Sequence, residues 1–409
     1  MAARPRRGET LSLPVTLLLD LTHTSHTRAR TGVQRVARAL YREVAGKAAA
    51  VCFDPFERMW RPIERWEEDN LAAAGPSVGR GARWPVHARL RGYIRRLGRR
   101  PAPLAELAQA NGDPPAGVLV PEIFSPAVAA ALPALFAASS GPRVALFHDA
   151  IALQFPEFAP RSTAARFPGY LRELLSFDAV AAVSEASSEA LTGYWRWLGV
   201  SRMPLVAAMP LGLEQPAPGC AAFTARGAPT VLCVGSIEAR KNHVALLDAC
   251  EALWAQGVRF QLRLIGLANA ETGGPALKRI ERLRSAGRPL RYAGPEDDEA
   301  LDAAYRECAF TVYPSIAEGF GLPVAESLAR GKPCVCRADG ALGEIARGGG
   351  CVALGEAGPA EIAAAIRRLL ESPAELAALE AAAGRRRFKT WAEYAAELLG
   401  WMGSLRRAS

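Results

Sequence analysis

The sequence predicts an α/β protein of two lobes, each a parallel sheet covered by helices, facing each other across a cleft. Three observations carry this. The chain has 409 residues, 50% of them hydrophobic and 22% charged, which is apolar material enough for two cores. Each half alternates short apolar runs with segments of helical spacing, the pattern of a parallel sheet buried on both faces. A Pro- and Gly-rich stretch, Glu214-Gln215-Pro216-Ala217-Pro218-Gly219, separates the halves, so the carboxyl ends of both sheets look into one interdomain cleft.

In the first half, taken as residues 1–213, candidate strands fall at 15–20, 50–53, 117–120, 144–148, 179–183 and 205–209. The stretch from about 55 to 115 breaks the alternation with many Pro, Arg and Trp residues and reads as an irregular insertion. The basic start and apolar run of the N-terminus resemble a secretory signal in outline. Pro14 and Asp20 interrupt the run, however, and no small-residue cleavage site follows, so it reads as a first strand. No stretch reaches the roughly 18 uninterrupted apolar residues of a membrane span. The expected location is the cytoplasm, either free or peripheral on the inner face of the cell membrane.

The second half, 222–387, is tidier. Its candidate strands are 231–234, 262–265, 310–313 and 333–336, with helical spacing at Val244, Leu247, Ala249 and Leu253, then at Leu301, Ala304, Tyr305 and Cys308. Glu296-Asp297-Asp298-Glu299 puts acids where a helix dipole favours them and reads as a helix start, not a metal site. The tail, 388–409, carries the helical apolar stripe Phe388, Trp391, Tyr394, Leu398 and Trp401.

Composition narrows the chemistry. A net charge of +9 spread along the chain suits anionic ligands such as nucleotides, phosphates or acidic lipids, and no nucleic-acid recognition motif accompanies it. Eight Cys and five His form no C-x-x-C pair or zinc spacing, so the thiols read as buried and reduced and no metal site is expected.

Two segments carry the chemistry. Ser315-Ile316-Ala317-Glu318-Gly319-Phe320-Gly321-Leu322-Pro323-Val324-Ala325-Glu326 follows a predicted strand and opens a helix. Gly319 and Gly321 let a ligand approach the backbone, Pro323 suits the first helical turn, and the exposed N–H groups there favour an anion such as a diphosphate. Glu318 sits in the loop and Glu326 about a turn inside the helix, so two carboxylates reach different parts of one extended ligand. The second segment, Val234-Gly235-Ser236-Ile237-Glu238-Ala239-Arg240-Lys241-Asn242-His243, ends the first strand of its half. A cationic pair at such a turn can neutralise a leaving diphosphate.

Two Glu separated by seven residues around GFGLP resemble the signature of family 4 of the retaining glycosyltransferases. The similarity covers most of the chain, best from 230 to about 401. The resemblance implies the GT-B fold of two Rossmann-like domains, with an acceptor-binding N-terminal domain and a tail helix crossing back to it. It implies that Glu318 contacts the donor sugar, Glu326 the ribose and Lys241 the phosphate, with Gly235, Ser236, Gly319, Phe320, Gly321 and Leu322 lining the donor site. Many relatives carry an Arg where Ser236 stands, which leaves Arg240 as the residue to compensate. His148, at the end of Phe147-His148-Asp149, matches a His that faces the donor sugar; Asp149 could orient its ring or cap the next segment. Gly32 and Arg35, in Thr31-Gly32-Val33-Gln34-Arg35, match the family's N-terminal glycine turn beside phosphate or acceptor, and Ser184 a position near the cleft. Plain turn geometry and a helix cap explain Gly32 and Ser184 nearly as well.

The implied activity is transfer of a hexose, mannose or rhamnose by the resemblance around LTHTSHTRARTGVQRVARAL. The donor is a nucleotide diphosphate sugar and the acceptor a glycan or lipid-linked glycan of a bacterial surface polysaccharide. The anomeric configuration would be retained, by front-face attack with the leaving phosphate helping to deprotonate the acceptor. No cofactor is expected beyond the co-substrate, and with no D-x-D motif present side-chain cations replace a metal. Rival readings are a sugar-nucleotide epimerase, which needs an acid/base set beyond His148, and a non-catalytic nucleotide-sugar-binding subunit. A nicotinamide oxidoreductase lacks its G-x-G-x-x-G.

One motif stands apart. Arg89, Arg91, Arg95, Arg96, Arg99 and Arg100 are interleaved with Leu90, Tyr93, Ile94 and Leu97 at helical spacing. This reads either as a basic amphipathic helix resting on an anionic membrane or as a solvated helix whose apolar stripe packs on the protein.

Overall fold

The computed structural model describes residues 17–73, 75, 81, 83–97, 104, 115–215 and 227–405. Arg99, Arg100, the linker residues 216–219 and the start of the chain lie outside this set. The first sheet contains β1 (Leu17–Asp20), β2 (Ala48–Asp54), β3 (Met59–Pro62), β4 (Val118–Val120), β5 (Arg143–Phe147), β6 (Ala179–Ala182) and β7 (Leu205–Ala208), in the spatial order β3-β2-β1-β4-β5-β6-β7. The second contains β8 (Thr230–Val234), β9 (Gln261–Ile265), β10 (Leu290–Tyr292), β11 (Phe310–Tyr313), β12 (Cys334–Arg337) and β13 (Cys351–Leu354), in the order β10-β9-β8-β11-β12-β13. All pairings are parallel except β2 with β3. Central strands such as Leu17–Asp20 and Ala179–Ala182 are buried throughout, as parallel strands covered on both faces must be.

The second sheet has the doubly wound order whose direction reverses between β8 and β11; the first reverses between β1 and β4. Strands leave such a point with their connections on opposite faces, which opens a crevice at their carboxyl ends. The loops after β8 and β11 therefore lie side by side, as do those after β1 and β4.

Around the first sheet lie α1 (Gly32–Glu43), α2 (Arg65–Ala72), α3 (Val86–Leu97) and α4 (Glu185–Trp197), and around the second α5 (His243–Ala255), α6 (Asp298–Glu307), α7 (Leu322–Ala329) and α8 (Gly340–Ala346). Asp297 caps α6, accepting from the Ala300 N–H at 2.8 Å, which is the helix-start chemistry its acidic run predicts. Six of the described cysteines are buried and none is in a disulfide.

Three elements differ from the sequence expectation. β10 and β13 escape the apolar-run reading because both are edge strands of three or four residues with exposed positions. The stretch 55–115 is not loops alone: its described part supplies the antiparallel edge strand β3 and helices α2 and α3. Its polar residues blurred the pattern because they are themselves buried. Arg61 binds Asp54 at 3.1 Å and both oxygens of Glu67 at 2.8 Å, while the Trp60 indole donates to the Ala131 carbonyl at 2.7 Å.

The tail forms α9 (Trp391–Ser404), started by a capping box in which Thr390 accepts from the Glu393 N–H at 3.0 Å and Glu393 from the Thr390 N–H at 2.8 Å. Its buried face, Trp391, Tyr394, Ala395, Leu398 and Met402, shares one core with Leu17, Leu19, Val36 and Leu40, so the helix docks on the first lobe beside α1. Leu213 N–H donates to the Lys389 carbonyl at 2.8 Å, fastening the outgoing and returning chain together. Leu398→Ala is expected to cost about 2–5 kcal/mol, the usual range for a buried Leu truncated to Ala. Urea unfolding should show this as a lowered midpoint, and an unchanged midpoint would mean that the tail helix is not docked.

Candidate active site between the lobes

On the second lobe, the turn after β8 and the loop after β11 meet in a chain of charges. Arg240 binds the Glu238 carboxylate and the Glu318 carboxylate, each at 2.8 Å, and donates to the Ala317 carbonyl at 3.1 Å. The Lys241 ammonium donates to Glu318 and to the Tyr313 hydroxyl, and lies 4.8 Å from the centre of the Tyr313 ring. Tyr313 in turn donates to Glu318 at 2.9 Å. Burial alone raises the Glu318 carboxyl, but Arg240 and then Lys241 overcome it and hold the group down to about 2. Burial, then repulsion from Arg240, lowers the Lys241 ammonium, with Glu318 opposing. Two cations thus face two carboxylates, so the turn carries less spare positive charge than its sequence suggests.

Gly321 caps α7 in the left-handed region at φ 101°. The N–H groups of Phe320, Gly321 and Leu322 find no acceptor among the described residues. A helix mouth with unsatisfied donors beside a lysine is a place for an anion. Glu326, inside α7, is buried and is bound from two sides: by the Tyr305 hydroxyl at 3.3 Å and by the guanidinium of Arg35, which reaches across from α1 of the first lobe.

The first lobe presents its own reversal point. His148, just past β5, is buried, and its Nε2 sits 2.7 Å from the Pro121 carbonyl. That bond places the proton on Nε2 and leaves Nδ1 as an acceptor. Burial lowers the His148 imidazole below its ordinary value, against the opposing pull of the Pro121 carbonyl and Asp149. Asp149 accepts from the Ile151 N–H at 3.0 Å, the capping role of the two foreseen for it. Glu122, just past β4, accepts from the His23 and Thr24 N–H groups, both at 2.8 Å, and fixes the loop after β1.

The lobes touch where these parts converge. A Cβ on Gly319 would collide with the His148 carbonyl, so only glycine lets the loop after β11 come this close. Ser184 and Ser187 donate to the Gly319 carbonyl at 2.6 and 3.1 Å, and Glu344 of α8 accepts from the Glu185 and Ala186 N–H groups at 3.1 and 2.7 Å, capping α4 from the opposite lobe.

The structure therefore brings together His148, Arg240, Lys241, Glu318, Gly235, Ser236, Gly319, Phe320, Gly321, Leu322 and Glu326 around one cleft. Arg35 reaches Glu326, because its position in the first turn of α1 aims it at the facing lobe. Ser184 both caps α4 and straps the Gly319 loop. Gly32 opens α1 with free space around it. Sequence reasoning missed Tyr305, Tyr313, Glu122 and Glu344. Tyr313 and Glu122 had a signal, each standing at or just past the end of a strand.

His26, Cys52 and Glu67 bring three potential metal ligands within 4.8 Å of one another. Both Glu67 oxygens are already taken by Arg61, and His26 Nε2 lies 2.6 Å from one of them. An ion there would have to displace a buried guanidinium, so the set does not fit a metal.

Two doubly wound lobes whose reversal points face one another make a GT-B fold, and solved structures of that fold match almost the whole chain. Anabaena Alr3699/HepE, in complex with UDP and glucose, matches with a TM-score of 0.66 over 96% of this chain and 100% of its own, at 17% identity. Sucrose-phosphate synthase from Thermosynechococcus elongatus matches with a TM-score of 0.65 over 94% and 97%, also at 17% identity. Residues 223–386, the second lobe, match the family Glycosyl transferases group 1. Among similar proteins, the serotype-specific mannosyltransferase WbdA of Escherichia coli is 27% identical over 375 residues, 87% of this chain and 42% of WbdA. The O-antigen chain mannosyltransferase B of Escherichia coli is 37% identical over 123 residues, 30% of this chain and 32% of that protein. The chain spans less than half the length of these curated relatives.

At the reversal point of the first lobe, burial, reinforced by Glu122, pushes the Asp20 carboxyl from its ordinary 3.8 up to about 7. The folded protein then holds a proton that the unfolded chain releases, so this contribution to stability is full below about pH 4 and falls away as pH rises through 7. Asp20→Asn, which can still accept from the Thr22 N–H, should flatten the loss of stability between about pH 4 and 7 in denaturant unfolding. An unchanged slope would mean that Asp20 titrates at its ordinary value.

Proposed function

We propose that the chain is a glycosyltransferase moving a hexose, mannose or rhamnose favoured, from a nucleotide diphosphate sugar to a glycan or lipid-linked acceptor in surface polysaccharide synthesis. The observation that carries this is the meeting of Lys241, Arg240 and Glu318 with the open mouth of α7, one helical turn from Glu326. The diphosphate would take the unsatisfied amides at 320–322 and the third N–H of Lys241, two being used by Glu318 and Tyr313. A carboxylate has about four lone-pair sites, so Glu326 can accept ribose hydroxyls while keeping Arg35 and Tyr305.

Charge on the departing phosphate would be met by preorganised cations already fixed in a buried network, which need no reorganisation as the bond breaks. His148 Nδ1, an acceptor on a buried neutral ring, would take a hydroxyl of the donor sugar. The contacts of Gly319 with Ser184 and of Arg35 with Glu326 would close the lobes and keep water from the activated sugar. Support for the sugar comes from the mannosyltransferases among the relatives. Retention of configuration and independence from metal ions belong to the same reading. Complete loss of transfer in chelator, restored by a divalent ion, would overturn the latter.

Thermal-shift measurements with GDP-, UDP- and dTDP-sugars, followed by transfer assays, test the donor. With the donor so found, Lys241→Ala should lower kcat by about 100-fold, the cost of removing one preorganised charge, with a smaller effect on donor Kd. Glu326→Ala should weaken donor binding by about 1.5–3 kcal/mol. Transfer at the parental rate by Lys241→Ala would sink the phosphate assignment.

A further inference from the structure

Helix α3 presents to solvent the stripe that a solvated helix would be expected to bury. Val86, Leu90, Tyr93, Ile94 and Leu97 are 78%, 61%, 52%, 59% and 85% exposed. At 100° per residue these five side chains fall within an arc of about 100°. The opposite side carries the buried Ala88 and Gly92, and Gly92 lies against Phe56 and Asp54 at the carboxyl end of β2. The apolar face is therefore the outward face, not a packing face.

Arginines flank it along one margin, and α3 contains no acidic residue. Arg91 pairs with Glu64, and Arg95 lies 3.8 Å from Glu57 and 3.7 Å from Glu64, so these two inner cations tie the helix to the protein. Arg89 and Arg96, on one margin of the apolar arc, are exposed; neither forms an ion pair with a described carboxylate, and the Arg89 Nε donates to the Trp84 carbonyl at 3.0 Å. His87 is exposed on the other margin. A chain of aromatic contacts holds the base in place: Tyr93 edge-on to Phe56 at 5.4 Å, Phe56 edge-on to Trp84 at 5.4 Å, and Trp84 stacked on His26 at 4.0 Å.

We propose that α3 is an interfacial helix that seats the first lobe on an anionic lipid surface, with Leu90, Ile94 and Leu97 entering the acyl boundary and Arg89 and Arg96 meeting headgroup phosphates. An apolar stripe bordered by exposed arginines is the arrangement that such a surface selects, and a second protein copy would have to bring carboxylates to that margin. The helix packs at the carboxyl end of β2, and the carboxyl ends of this sheet form the cleft. Docking through α3 thus puts the rim of the cleft at the lipid surface, where an acceptor carried on a lipid is presented. That last consequence rests on the transferase reading; the binding itself does not.

The test uses the full chain and co-sedimentation with vesicles of phosphatidylglycerol mixed with phosphatidylcholine, or of phosphatidylcholine alone, and needs neither donor nor acceptor. The expected result is binding to the anionic vesicles that weakens with salt. It should fall about tenfold or more in Leu90→Glu/Ile94→Glu, and also in Arg89→Gln/Arg96→Gln, with unchanged thermal midpoints. Trp197→Glu, an equally exposed apolar site at the far end of α4 and about 20 Å from the cleft, should bind as the parent does. Three results would overturn the proposal: no binding by the parent, equal loss in Trp197→Glu, or a parental dimer that Leu90→Glu/Ile94→Glu splits into monomers.

Discussion

The contact of the Gly319 loop with the first lobe is the constraint on which the rest of the cleft depends. Gly319 lies against the His148 carbonyl, and its own carbonyl receives the hydroxyls of Ser184 and Ser187. Glu318, one residue earlier, must then point back toward Arg240 and Lys241. Phe320 to Leu322, just after, open α7 beside this contact with their amides unpaired among the described residues. A side chain at position 319 would separate the lobes and with them both halves of the site.

The electrostatics of the two faces are opposed. The second lobe offers a cationic turn balanced by carboxylates, and the first offers the buried acids Asp20 and Glu122, both raised by burial. Breaking one partner of a buried ion pair typically costs about 3–5 kcal/mol, whereas the intact pair adds little over apolar packing. The Glu238–Arg240–Glu318–Lys241 chain is thus poorly explained as a stabilising device. In the proposed reading it is charge held in place for a ligand. The Arg61–Glu67–His26 cluster is equally buried and equally satisfied but has no open donors, and there the structural explanation suffices.

Much of this was legible in the chain itself. Candidate strands at 144–148 and 179–183 lie within one residue of β5 and β6, because buried parallel strands are continuous apolar runs bounded by turns. The two glutamates and the glycines between them were legible because strand, loop and helix N-terminus are contiguous in sequence. β3, β10 and β13 were not, since edge strands are short and half-polar. Nor was the outward face of α3: amphipathic spacing says that a helix has two sides but not which side the fold turns to solvent.

The sequence alone determined what is local: the alternation of strand and helix, the reversal-point loops, and the chemical groups at their tips. Tertiary structure decided what depends on residues far apart. Arg35 meets Glu326 across 291 positions, and Ser184 meets Gly319 across 135. Backbone sterics and apolar periodicity act over a few residues and can be read along the chain. The pairing of charges across a cleft depends on how two separately folded sheets come to rest against one another, and no spacing in the sequence encodes that distance.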